Sequence, residues 1–308
     1  MKTDPVLWVL NRDLARVNAK PISDVSSSLL SEVVNFATTA FAIVATTSRG
    51  AENEDLAPFY LYLHTIEMAD AVQLLAKEAC ATAIVPLARS SFEAHLALQY
   101  ILERSELFSQ RSLAWTYVSY RTRRDAYHSL DPEHERGKQA RADFENDAVL
   151  EPFAIPPEQV RAAAANLDRL LSASQFAEIA AEWESCRRTL KKSSLSWHQL
   201  FGGPGNLEDL ARHLNRAAEY RFLYRQMSTI AHARDPSRLV RHIAGKAELP
   251  TLLRAESNEL RNISSIMSRT LIATTHLLLN HFRHGEVENF KKWYEAKCKP
   301  SFDSLFPD

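Results

Sequence analysis

The chain reads as an all-α protein, a multi-helix bundle with long antiparallel helices. Glycine is scarce, 7 in 308 residues, while Ala, Leu, Glu and Arg are abundant. Apolar residues recur at helical spacing along most of the chain, and no run of alternating β-branched residues carries hairpin signals. Domains commonly hold about 100–200 residues, so length alone allows one large core or two smaller ones. The expected organisation is one helical domain over 1–308. Within it lie an N-terminal helical pair at 1–50, a core at 55–285 with a helical and loop insertion near 131–157, and a C-terminal tail at 286–308.

Each element has its own justification. Asp4-Pro5 supplies a cap and a first-turn proline, and Leu7, Leu10, Leu14 and Val17 follow at helical spacing up to Pro21, where a short helix should end. A second, long helix covers about 23–47 and stops at Ser48-Arg49-Gly50. Its antiparallel partner starts near Glu54 and carries Leu61, His64, Met68, Val72 and Leu75 on one stripe. Residues 80–104 continue as helix, with a kink or break expected at Pro86. A further helix covers about 106–130 and places Arg121, Arg123 and Arg124 against its carbonyl pole.

Asp131-Pro-Glu-His-Glu135 reads as capping at a helix start, ahead of a charged insertion and a proline-bearing loop that ends at Pro157. Two Ala-rich helices fill 158–191. Phe201-Gly-Gly-Pro-Gly205 lacks the Gly-x4-Gly-Lys pattern of a phosphate loop and reads as a turn. Helices then cover about 206–214, 216–234 and 252–283, and the aromatic tail packs back on the bundle.

Composition excludes several functions. Cys80, Cys186 and Cys298 are odd in number and far apart, so neither a disulfide framework nor a zinc knuckle is indicated. A cytoplasmic location is the expectation. The most apolar stretch, Val33 to Thr47, is shorter than the roughly 20 residues a bilayer requires, so no membrane partner is expected. A formal net charge of −1 argues against coating nucleic acid over the whole surface. Any anion site must be local.

One stretch meets that condition. Between 212 and 242, Arg212, Arg216, Arg221, Arg225, Arg234, Arg238 and Arg241 face only Glu219 and Asp235. Arg225 and His232 lie seven residues apart, and seven steps of roughly 100° return a side chain to nearly the same face, about 10 Å along the axis. Arginine holds phosphate in a fixed fork and histidine moves protons near neutral pH, so the pair suits phosphodiester chemistry. The bland alternative is a solvated helix face. Arg89 and Glu93 share a face of an otherwise apolar helix. They are either an ion pair that fixes bundle register or the group that orients Arg225 or His232.

Metal and cofactor chemistry find no support. No glutamate is followed by histidine three positions later, as a di-iron bundle requires. His64 with Glu67, and His276, His281 and His284, are sets on one helix without a second matching element. A Gly-x-Ser-x-Gly elbow is missing as well.

Leu87-Ala-Arg-Ser-Ser-Phe-Glu93, then Trp197 before Tyr220-x3-Tyr224-x3-Ser228-x3-His232, resembles a widespread bacterial helical family of unknown function over roughly 55–285. That resemblance implies a fold, with Arg89, Glu93, Tyr224 and Ser228 as a polar network, and brings no activity. The Arg225-x6-His232 spacing is also similar to the signature of HEPN domains, helical bundles that in many toxin and phage-defence proteins cut RNA without metal. It implies that Arg225 grips the scissile phosphate and that His232 acts on the 2′-hydroxyl or the leaving oxygen; Arg221, Arg234, Arg238 and Arg241, from the basic stretch, are then the expected RNA contacts. Because one helix separates Arg225 from His232 along its axis, catalysis would pair them across a homodimer two-fold. The alternative is a non-catalytic scaffold, sensor or partner-binding module whose polar network fixes the bundle.

Overall fold

A computed structural model describes residues 4–46, 53–145, 156–191, 194–234, 241–243, 246–248, 253–254 and 257–307. The fold is all-α, as the periodicity predicts. The elements are α1 (Arg12–Ala45), α2 (Leu56–Lys77), α3 (Ala81–Leu102), α4 (Phe108–Leu130), α5 (Glu135–Glu145), α6 (Pro157–Leu171) and α7 (Ala177–Leu190). They continue with α8 (Leu207–His213), α9 (Ala217–Glu219), α10 (Arg225–Ala231), α11 (Ser257–Phe282), α12 (Val287–Trp293) and α13 (Lys299–Leu305). Where one domain was expected over 1–308, the chain groups into two compact units. One joins 1–104 to 207–308, and 105–206 form the other.

In the first unit α1, α2, α3 and α11 form a bundle, with α10 against α3 and α13 against α1. Its centre holds Leu30, Ile84, Leu96, Ile101, Met267 and Leu271, all fully buried. Tyr62 ties three helices together from inside: its hydroxyl reaches the Ala37 carbonyl at 3.1 Å and Thr275 Oγ1 at 2.9 Å. In the second unit α4 packs on α5, α6 and α7 around Leu113, Tyr117, Phe176, Ile179 and Trp183. Arg121 lies over the Trp183 ring at 4.9 Å.

Several expectations change. Pro21 does not end a helix but lies inside the 34-residue α1, because a proline removes only one ladder bond and the long apolar stripe outweighs it. The apolar stretch is therefore part of a longer helix than expected. By length and composition α1 is able to cross a membrane, although 39% of its most apolar window is buried within the protein. Pro86 likewise lies inside an unbroken α3. The separation of α2 from α3 comes instead from Ala79, left-handed at φ 55°, with Cys80 N–H bonded back to the Leu75 carbonyl at 2.9 Å. A short antiparallel ribbon, β1 (Arg241–Ile243) on β2 (Lys246–Glu248), appears where no hairpin was expected, with Arg241 opposite Glu248.

Other readings hold. Asp131 Oδ1 accepts the Glu133 N–H at 3.1 Å in an Asx turn, and the side chain that caps α5 is His134, whose Nδ1 accepts the Arg136 N–H at 3.2 Å. The remainder of the 131–157 insertion, from 146 to 155, lies outside the described residues. Residues 197–202 form a 3-10 turn capped reciprocally by Ser196 and Gln199.

Candidate functional site

Helix α3 presents Arg89 and Glu93 one turn apart, between the buried Ala88, Phe92 and Ala94. The segment 216–232 lies antiparallel against them and contributes Tyr224 and His232. Arg89 Nη2 donates to the Tyr224 hydroxyl at 2.8 Å, and that hydroxyl donates to Glu93 Oε1 at 2.8 Å. Arg89 Nε sits 3.2 Å from the same carboxylate as an ion contact, without hydrogen-bond alignment. Arg89 Nη1 is 3.0 Å from His232 Nε2. A guanidinium has no lone pair to offer, so Nε2 must be the acceptor and the ring proton must sit on Nδ1.

Each group is tuned by its neighbours. Burial works against the Arg89 charge, but Tyr224 and Glu93 outweigh it and raise the pKa above the ordinary arginine value. Burial and the bond to Glu93 push the Tyr224 phenol up to about 12, so it stays a donor. The guanidinium also lies over the Tyr224 ring, 4.9 Å from its centroid. Only part of this network is sheltered. The side chains of Arg89 and Glu93 are 25% and 44% exposed, and His232 is exposed.

Local backbone chemistry places these groups. Between α9 and α10 the helix widens into one π turn at Tyr220–Tyr224, where the Arg225 N–H bonds five residues back to the Tyr220 carbonyl. Tyr220, half-buried, stacks on the buried Tyr224 at 4.9 Å and 19°. Helix α10 then closes at His232 in a Schellman motif. Ala233 N–H bonds to the Ile230 carbonyl at 3.0 Å and Arg234 N–H to the Thr229 carbonyl at 2.9 Å, with Ala233 left-handed at φ 50°. An alanine pays a steric penalty there that glycine avoids. Ala233→Gly, at this exposed position, is expected to raise unfolding free energy by about 0.5–1 kcal/mol in urea titration, with the site unchanged.

A second arginine–histidine pair lies one and a half turns further along α3. His95 is 2% exposed. Its Nδ1 is 2.9 Å from Thr274 Oγ1, whose own proton goes to the Thr270 carbonyl at 2.6 Å. Nδ1 therefore donates, and Nε2 faces Arg216 Nη2 at 3.5 Å. Arg216 is held by Glu219 at 2.6 Å and Gln99 at 3.3 Å. Burial, with the Arg216 charge, drives the His95 pKa down to about 3. The two pairs are reciprocal: α3 gives an arginine and then a histidine, and the facing segment returns a histidine and an arginine.

The predicted residues therefore meet in a different combination. His232 takes Arg89 rather than Arg225, and Glu93 takes Tyr224. Arg225 and Arg221 are exposed and, like the exposed Arg234, make no ion pair among the described residues. Ser228 contributes its carbonyl to the His232 N–H at 3.1 Å. Arg212 is neutralised by Glu208 and Asp209, which reduces the local positive excess. Arg238 lies outside the described residues, and of Arg241 only the backbone in β1 is described.

Sequence reasoning missed Arg216, Gln99 and His95 as a unit. The available signal was the four-residue spacing of His95 and Gln99 beside Arg89 and Glu93 on α3. Among the described residues no group of three or more His, Cys, Asp or Glu side chains is placed to hold a metal ion.

The profile of a family described as a family of unknown function (DUF5677) matches residues 55–246. More than half of the chain is covered, and the chain belongs to that family. The match contains the Arg89-x3-Glu93 and Tyr220-x3-Tyr224-x3-Ser228-x3-His232 motifs, while α1 and α11 lie outside it. Comparison with curated proteins and with solved structures gives no match.

Proposed function

We propose that this member of a family of unknown function binds RNA and cleaves it without metal, in the manner of HEPN domains, as a toxin or phage-defence component would. The observation that carries the reading is the partly exposed Arg89–His232 pair, 3.0 Å apart, beside three exposed arginines on the same segment. Arg89 takes the phosphate-gripping role first given to Arg225. A phosphate oxygen is a stronger acceptor than an imidazole nitrogen, so an incoming phosphodiester competes for Nη1 and frees His232 Nε2.

The freed lone pair accepts the proton of the 2′-hydroxyl as its oxygen forms a bond to phosphorus. The bond from phosphorus to the 5′-oxygen breaks, and that oxygen leaves with the electron pair and takes a proton from solvent. The products are a 2′,3′-cyclic phosphate and a 5′-hydroxyl. Because Arg89 and His232 belong to one chain, a homodimer is not needed to bring cation and imidazole together. Arg221, Arg225 and Arg234 then bind flanking phosphates.

A second reading keeps a specific observation in its favour. Glu93, Tyr224 and Arg89 satisfy one another within the chain, as a purely architectural network would. Under it the protein is a scaffold, sensor or partner-binding module. The full chain incubated with labelled RNA in chelator separates the two. Cleavage to cyclic-phosphate ends supports the nuclease; intact RNA together with no binding overturns it.

A further inference from the structure

We infer that Phe222 is a base-stacking platform that selects single-stranded RNA for this site; the inference rests on the RNA-binding reading above. Phe222 is 63% exposed, on a segment whose other two aromatic residues are half-buried (Tyr220) and buried (Tyr224). The cause is the π turn. With the Arg225 N–H bonded to the Tyr220 carbonyl and Tyr220 stacked on Tyr224, Arg221 and Phe222 are left on the solvent side. A large apolar ring there leaves most of its surface in water.

Its neighbours supply the argument for the occupant. Arg221 precedes it, and Arg225 lies three residues on, a spacing that puts side-chain roots about 5–6 Å apart on a helix surface. Both guanidiniums are exposed and without an ion-pair partner among the described residues. An exposed apolar ring with one available cation next to it in sequence and another three residues on matches an unpaired nucleotide, which offers a flat π face for the ring and charged oxygens for the arginines. In a duplex the base faces are already stacked on one another, so the ring finds no partner and only the phosphate contacts remain. Arg225 leads along α10 toward His232, so a strand held by Phe222 is delivered to the Arg89–His232 pair.

The test uses the full chain and a labelled 2′-O-methyl RNA 12-mer, which lacks the attacking hydroxyl and stays intact. Anisotropy titrations compare wild type, Phe222→Ala and Phe222→Trp on the single strand and on its duplex, with oligomeric state followed by light scattering. Phe222→Ala is expected to weaken single-strand binding about 5- to 150-fold, Phe222→Trp to restore it, and duplex affinity to stay unchanged. Wild-type affinity in Phe222→Ala overturns the inference and leaves the RNA reading standing. A change of oligomeric state in Phe222→Ala also overturns it, by assigning the ring to a second copy of the chain. If wild type binds neither RNA, both readings fall.

Discussion

His232→Ala is expected to lower RNA cleavage in chelator by about 10²–10⁴-fold, the range that a positioned acid–base group contributes. The imidazole is exposed and, among the described residues, held by one bond, from Arg89 at 3.0 Å. Its removal leaves Arg89 still bonded to Tyr224 and in contact with Glu93, so the fold should lose little. Cleavage rate and urea midpoint measured on the same preparation give the decision. A rate equal to wild type with an unchanged midpoint removes the catalytic claim, and equal losses in both would return the site to architecture. His232→Gln offers a further control, because its side-chain oxygen can accept from Arg89 without taking up the proton of a 2′-hydroxyl.

The largest pH effect should come from His95. Its pKa is driven down to about 3 in the fold, against about 6.5 in an unfolded chain. The unfolded state therefore binds the extra proton first as the medium is acidified. The contribution is fully present above about pH 6.5 and is lost as pH falls toward 3, at about 1.4 kcal/mol per pH unit. By pH 4.5 the loss should be about 3 kcal/mol. His128, His198 and His281 are shifted in the same direction, so the measurement is the difference between wild type and His95→Gln. Urea unfolding at pH 7.5, 5.5 and 4.5 should show a steeper loss in wild type. Parallel slopes would mean that Arg216 moves away and lets water reach the ring.

Much of the bundle was legible because its signals are periodic. The apolar stripes of α2 and α3, and the spacing of Arg89 and Glu93, report helix faces directly, and the Tyr-x3-Tyr-x3-Ser-x3-His run marked the partner segment. Partner choice was not legible. Arg225 and His232 do share the unbroken α10, as its first residue and its C-cap about two turns apart, but His232 meets Arg89 through the way the segment docks on α3, with one π turn before Arg225 and a left-handed Ala233 after His232. Neither feature has a composition signature here, since both positions hold ordinary residues where glycine would have announced a break. Pro21 misled in the opposite sense, as a break signal inside a helix that tertiary packing keeps whole.

The π turn has a consequence for how the chain tolerates length change. Arg216 and Tyr224 are eight residues apart, and at about 100° per residue an unbroken α-helix would set them about 80° out of phase. Absorbing one residue in the wide turn reduces the offset to about 20°, so that Arg216 meets His95 while Tyr224 meets Arg89 and Glu93. The extra residue works as a phase corrector between two locks. Losing one residue from Tyr220–Tyr224 would cost little as an event in sequence, since the ladder simply becomes α-helical. A residue gained or lost between that turn and His232 would rotate one lock relative to the other. Length variation in this segment should therefore collect inside the five residues of the turn, and the spacing from Tyr224 to His232 should stay fixed.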